Sequence, residues 1–194
     1  MQRYRFVFSG SGGQGVITAA IILAEAAVLF EDLNAVQSQS YGAAARGGVT
    51  RSDIIISDSE INFPKVNQPN VLVCLTQEAY NSFYQIIRPG GLLLTDSHFV
   101  HFQQKADARQ RNLSLYRSVM DRIGKPIVLN ICMLGAIQSL TRVVSMESLE
   151  KVLASRIPER FLDMNKQALA LGAELAEAVA SPGAEADARQ MSQG

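Results

Sequence analysis

The chain has 194 residues, 47% of them hydrophobic, which suffices for a full core and is most simply read as one domain over residues 1–180. Eighteen basic residues balance eighteen acidic ones, so no global field draws it to nucleic acid or an anionic membrane, and neither is expected as a partner. Its apolar runs are strand-length or broken by polar residues and no basic-then-apolar leader opens it, so a cytoplasmic protein without a membrane span is expected.

Residues 4–9 read as a strand and 14–30 as a helix, and between them runs Gly10-Ser-Gly-Gly-Gln-Gly-Val16. Four glycines in six residues allow positive φ and close approach of a ligand, while the free N–H groups of the helix start point into the same space, a site for phosphate or another anion. Gly10, Gly12 and Gly15 also match the G-x-G-x-x-G dinucleotide fingerprint. That fingerprint needs an acid at the end of the second strand to hold a ribose. Here residues 34–40 end in Gln39-Ser40, and Glu31 and Asp32 precede the strand, which argues against ordinary NAD binding. A glycine turn that only lets the helix pack on the sheet is the plain alternative. In the helix itself Thr18 and Glu25 are almost the only polar interruptions of an apolar surface, so it needs burial on two sides, by the sheet and by a neighbouring helix or a partner subunit.

The second strand leads into Gln39-Ser-Tyr-Gly42, then Ala43-Ala44-Ala45 and Arg46-Gly47-Gly48. Loops leaving the carboxyl ends of neighbouring strands face one crevice in an open α/β sheet, so this segment is expected to meet the glycine loop. Arg46 beside two glycines suits a phosphate or carboxylate, and Tyr41 offers a ring and a hydroxyl. The plain reading pairs Arg46 with a surface acid.

Residues 50–57 read as a strand, and the turn at 58–60 into 61–63 before Pro64 predicts a hairpin. A βαβ unit follows, with strand 70–76, helix 77–87 and strand 92–96. Residues 100–112 are polar and poorly patterned, 115–124 look helical and 126–129 read as a short strand. A helix at 130–143 precedes Ser145, which caps another running to Arg156. Pro158 opens a last helix with Phe161, Asn165, Ala168, Gly172, Leu175 and Val179 on one face, and residues 181–194 form a polar, small-residue tail expected to be disordered. The alternation predicts an α/β fold: a three-layer, mostly parallel Rossmann-like sheet flanked by helices, with a β-hairpin addition.

Cys74 and Cys132 lie in apolar surroundings and read as reduced core thiols; without a C-x-x-C the chain cannot itself hold an iron–sulfur cluster. His98 and His101 would not share a face, and no acid or thiol completes a metal set near them. Asp96, at a strand end, reads as a cap for a loop or helix start. No nucleophile–base pair and no G-x-S-x-G elbow is present, so no catalytic residue is assigned.

The glycine loop 10–16, Gln39-Ser-Tyr-Gly42 with Arg46-Gly47-Gly48, the strands at 52–57 and 70–75, and Pro89-Gly90-Gly91 before an apolar strand together resemble the gamma subunit, or fused gamma domain, of the 2-oxoacid:ferredoxin oxidoreductases. The likeness runs to about residue 180 and is nearest to stand-alone gamma subunits of the 2-oxoglutarate type. It implies a subunit of an enzyme that converts a 2-oxoacid and coenzyme A to acyl-CoA and carbon dioxide, passing electrons to ferredoxin. It implies alpha and beta partners holding thiamine diphosphate and iron–sulfur clusters, an optional ferredoxin-like delta chain, and for this chain no cofactor of its own but coenzyme A at its interface. The residues carried over to that interface are Gly10, Gly12, Gly13, Gln14, Gly15, Ser40, Tyr41, Arg46 and Gly47. Ala43 and Ala44 depart from the proline and acidic residue common after Tyr-Gly in the family, so any contact made by that acid is missing here. The readings kept beside this one are a free-standing Rossmann-like nucleotide-binding protein, a subunit of a pyruvate- or indolepyruvate-type enzyme, and a scaffold whose glycine loops press on the alpha chain; a homodimer is an option for the isolated chain.

Overall fold

The computed structural model describes residues 3–41, 48–102 and 106–180. Six strands form one sheet: β1 (Arg3–Gly10), β2 (Asn34–Tyr41), β3 (Thr50–Ser57), β4 (Val71–Cys74), β5 (Gly91–Asp96) and β6 (Ala108–Leu113), in the order β2-β3-β1-β4-β5-β6. From β1 through β4 and β5 to β6 the pairing is parallel, whereas β3 runs antiparallel to both β1 and β2. All strands but β3 therefore point one way, and the mostly parallel α/β sheet expected from the sequence is present.

Strand alternation divides the core in two. Phe6, Phe8, Ile54, Ile56, Val71, Val73, Leu92 and Leu94 face a thick helical layer, and Val7, Ile55, Leu72, Cys74 and Leu93 face the other side. The thick layer holds α1 (Val16–Phe30), α3 (Leu115–Arg122), α4 (Leu129–Thr141), α5 (Met146–Arg156) and α6 (Glu159–Ala180). The opposite face carries α2 (Gln77–Phe83), a 3-10 turn at Tyr84–Ile86 and the irregular segment 58–70.

Three expectations are corrected. The hairpin at 58–63 does not form; both edges of β3 are already taken by β2 and β1, so residues 61–63 have no strand to pair with. Residues 126–129 are not a strand: Pro126 opens a 3-10 turn (Pro126–Val128) that runs straight into α4, as the fixed proline φ favours at a helix start. Residues 108–113, read as unpatterned, are edge strand β6, whose polar side chains show no alternation because solvent reaches much of both faces.

The over-apolar α1 is buried by β2 and β3 on one side and by α4 and α5 on the other, so a neighbouring helix supplies its second wall, leaving Val28, Leu29 and Phe30 exposed at its end. Two carboxylates join α1 to α5. Glu25 pairs with the Arg156 guanidinium, and Glu31 accepts from the Ser145 backbone N–H and the Ser148 hydroxyl, each at 2.6 Å. The Ser145 hydroxyl itself caps α5 at the Ser148 N–H, as its sequence position predicts. α4 is the most enclosed helix, with nine consecutive buried residues from Leu129 to Ile137. It crosses α6 so closely that a β-carbon at Gly135 would overlap the Leu169 carbonyl and one at Gly172 the Cys132 carbonyl.

The two joints set a pH dependence. The Arg156 hydrogen bond holds the Glu25 carboxyl below the ordinary value of 4.5, and the Ser148 hydroxyl with the Ser145 amide does the same for Glu31. A depressed folded-state value stabilises above the unfolded value and is lost as pH falls through the folded one. Burial pushes the Asp96 carboxyl up, which has the opposite sign: that stability is present at low pH and is lost as pH rises through the folded value. In Glu31→Gln the Asp96 contribution is unchanged, so the stability gap to the parent chain in urea titrations is expected to narrow as pH falls from about 5 to 3. A pH-independent gap would remove Glu31 as an ionised anchor.

Candidate functional site

β1 ends at Gly10 and α1 begins at Val16, so the glycine loop lies at the carboxyl end of a central strand. Gly13 (φ 89°) and Gly15 (φ 71°) occupy the left-handed region, where a β-carbon is strained. Gly15 caps α1 without a side chain, and the first turn of α1 has no acid, so no side chain caps the amides at the helix start and no first-turn carboxylate competes for them. Gln14 braces the loop from inside: its Oε1 accepts from the Ser11 N–H at 2.8 Å, and its Nε2 donates to the Leu75 carbonyl at 3.3 Å. A β-carbon on Gly10 would lie 2.5 Å from that Oε1, so glycine there makes room for the brace. Gln14 is thus a structural strut. Gly12 and Gly13 are exposed, and a β-carbon on either meets nothing within 4 Å. The outer surface of the loop is open.

Asn130, at the start of α4, was not among the residues singled out from the sequence. Its Nδ2 donates to the Gly15 carbonyl at 3.2 Å, and it lines, with Gly13, Gly15, Thr18, Ile131 and Phe161, a cavity of about 400 Å³ beside the loop. The signal available was one amide at a helix start inside the apolar run 127–134. Gly15→Ala would set a β-carbon 2.5 Å from this Nδ2 at a positive φ. The expected cost is about 2 kcal/mol of stability, read as a shift of the urea midpoint with unchanged slope.

The strand register places the second predicted loop. Thr50 of β3 pairs with Gly10 on one side and Tyr41 on the other, so Tyr41 and Gly10 stand two strand spacings apart, about 10 Å, at the same end of the sheet. Ser40, exposed, pairs with Arg51 one step further in. The segment after Tyr41 therefore leaves from beside the glycine loop. Arg46 and Gly47, with Ala43 and Ala44, lie outside the described residues.

The same topology works against a dinucleotide. β3 separates β2 from β1, so the strand that would carry a ribose-binding acid is not the neighbour of the glycine strand. Glu31 is engaged with α5, and Asp32 sits before β2 with φ 52°.

Asp96, Cys74, Cys132 and His98 have structural roles. Asp96 is fully buried; its Oδ1 accepts from the His98 N–H at 2.8 Å and its Oδ2 from the Tyr116 N–H at 2.6 Å, so it caps the following loop and the start of α3, the bystander role expected. Burial pushes both the Cys74 and Cys132 thiols up to about 12, which makes them core residues rather than nucleophiles. The His98 ring stacks on Tyr116 at 4.7 Å between centroids. Among the described residues no helix is long and apolar enough to cross a membrane, and no group of three or more His, Cys, Asp or Glu is placed to hold a metal ion.

Residues 5–175 match the family model described as pyruvate ferredoxin/flavodoxin oxidoreductase. The chain is 43% identical over 171 residues to the 2-oxoglutarate synthase subunit KorC of Methanocaldococcus jannaschii, covering 87% of this chain and 91% of that protein. Among solved structures it is similar to the gamma subunit of a keto/oxoacid ferredoxin oxidoreductase from Geobacter sulfurreducens PCA, with a TM-score of 0.84, 41% identity and 92% and 98% of the two chains covered. The 2-oxoglutarate:ferredoxin oxidoreductase from Magnetococcus marinus, solved with 2-oxoglutarate, coenzyme A and succinyl-CoA bound, shares the fold at a TM-score of 0.82 and 21% identity, over 92% of this chain and 32% of that one.

Proposed function

The chain belongs to the pyruvate ferredoxin/flavodoxin oxidoreductase family, and from that premise we propose that it is the gamma subunit of a 2-oxoacid:ferredoxin oxidoreductase acting on 2-oxoglutarate. The reaction joins the succinyl group left by decarboxylation of 2-oxoglutarate to coenzyme A and passes the electrons to ferredoxin. Its thiol nucleophile belongs to coenzyme A, so this chain needs none of its own. Alpha and beta partners, with a delta chain where one exists, hold the thiamine diphosphate and the iron–sulfur clusters. The whole assembly works in the cytoplasm.

The part assigned to this chain is to anchor coenzyme A at its interface with the alpha subunit. The observation that carries it is the open glycine loop at the α1 N-terminus, with the segment after Tyr41 leaving from the same sheet end. Helix-start amides without a side-chain cap suit the diphosphate, and Arg46 supplies a second, charged contact from the neighbouring loop. Gly10, Gly12, Gly13, Gly15, Ser40, Tyr41 and Gly47 shape the backbone around it.

Anaerobic purification of the tagged chain from its own cells is expected to recover two larger subunits with thiamine diphosphate and iron, active on 2-oxoglutarate in preference to pyruvate. In that complex Arg46→Ala is expected to raise KM for coenzyme A about tenfold and leave that for the 2-oxoacid unchanged. Recovery of the chain alone would return the nucleotide-binding alternative; an unchanged KM would remove Arg46 from the site.

A further inference from the structure

The two faces of the sheet are unequally covered, and the thinner face carries an uncompensated charge. There the segment 58–70 is pinned to β3: Asp53 Oδ2 accepts from the Val66 N–H at 3.2 Å, Arg51 donates to the Val66 carbonyl at 2.7 Å, and Arg51 Nε meets Asp53 Oδ1 at 2.6 Å. Two cavities flank this segment, one of about 450 Å³ reaching Ser40 and one of about 640 Å³ between Arg5 and Arg88; Lys65 and Asn67 line both. Arg88 also lines a third, of about 270 Å³, that turns round the end of the sheet to Arg109. The first two cavities, joined at Lys65 and Asn67, make a track on this face from the glycine-loop end of the sheet to its opposite end, roughly 26 Å for strands of this length.

Arg5, Arg51, Lys65 and Arg88 supply the cations along the track, while Arg109, paired with Leu92, lies round the sheet end on the helical face; among the described residues the one carboxylate lining the track is Asp53, which is bound to Arg51. In a chain whose charges sum to zero, this is a segregated basic strip. Beside it Phe63 is 62% exposed, an aromatic ring with no core to fill. A single phosphate group needs one corner of such a track; its length and charge together suit an extended acidic chain segment.

We propose that this track is the docking surface for an acidic segment of a partner subunit in the assembled enzyme, with Phe63 as the apolar anchor. The inference rests on the subunit reading given above and adds to it the face of the sheet and the chemistry of the contact. Charges of this kind govern association and its salt dependence more than catalysis.

The test is reconstitution of the whole complex from this chain and its alpha and beta partners, with binding titrated at about 50 and 300 mM salt. Lys65→Glu with Arg88→Glu is compared with the parent chain, after circular dichroism and a melting curve establish that both are folded. The expected result is at least tenfold weaker association for the double variant at low salt, with the salt dependence of the parent chain largely abolished; Phe63→Ala should weaken binding at both salt levels alike. Equal affinity and equal salt slope would overturn the proposal. So would displacement of the partners by inorganic pyrophosphate or ADP at a site lost in the double variant, which would make the track a small-anion site. A parent chain that binds neither partner would sink the subunit reading itself, and this inference with it.

Discussion

Gly172→Ala is expected to destabilise the protein by about 3 kcal/mol, although alanine is the better helix former by about 1 kcal/mol. The sign is decided by geometry. α4 and α6 touch backbone to backbone, and the added β-carbon would overlap the Cys132 carbonyl, with the Ala136 amide nitrogen 2.9 Å away. Neither neighbour is a side chain that can rotate aside, so the helices must separate and the seam around Leu169 and Ala168 loses contact. Gly135→Ala attacks the same seam from the other helix, and the two changes should sum to less than their separate effects once the helices have parted. The measurement is the urea midpoint of each variant against Ala178→Gly on the exposed face of α6, where propensity alone predicts a loss of about 1 kcal/mol. A neutral or stabilised Gly172→Ala would show that the crossing has slack.

The largest functional effect is expected from Gly12→Asp. A β-carbon at Gly12 meets nothing, so the substitution leaves the fold intact while directing a carboxylate over the amides at the start of α1. If those amides receive the diphosphate of coenzyme A, like charges are forced together at a cost of about 2–3 kcal/mol, and KM for coenzyme A in the assembled enzyme rises roughly 30–160-fold. Gly12→Asn, nearly the same shape without the charge, should recover most of the loss. An unchanged KM in both variants would remove the loop from the coenzyme A site, whereas loss of assembly with the alpha partner would favour the scaffold reading.

The legible parts of the fold were those fixed by local chemistry. The helix 146–156 with its Ser145 cap follows from a serine ahead of an amphipathic run, and α1 follows from the glycine loop and the apolar stretch behind it. β6 was hidden because an edge strand carrying Arg109 and Arg111 does not alternate, and its evidence is its partner β5, not its own residues. The segment Pro126-Ile127-Val128 reads as strand by side-chain type, but its proline sets a helix start. β3 between β1 and β2 is a long-range choice that no window of sequence contains, and it is what separates this sheet from a dinucleotide fold. At the site the glycine loop could be read directly. The struts behind it could not: Gln14 reaching Leu75 and Asn130 holding Gly15 each span more than sixty residues of chain.

The enclosure of α4 has a dynamic consequence. Amides from Ile131 to Ile137, enclosed by the core, have no local opening through which to reach solvent, so their deuterium uptake should report only global unfolding and be among the slowest in the chain. Through Asn130 the glycine loop is fastened to this slow-exchanging helix at the Gly15 carbonyl. An exposed loop of glycines would ordinarily soften well before the core melts. Here its shape should persist up to the cooperative transition and vanish with it, so that the heat inactivation of ligand binding and the melting of the core trace a single curve.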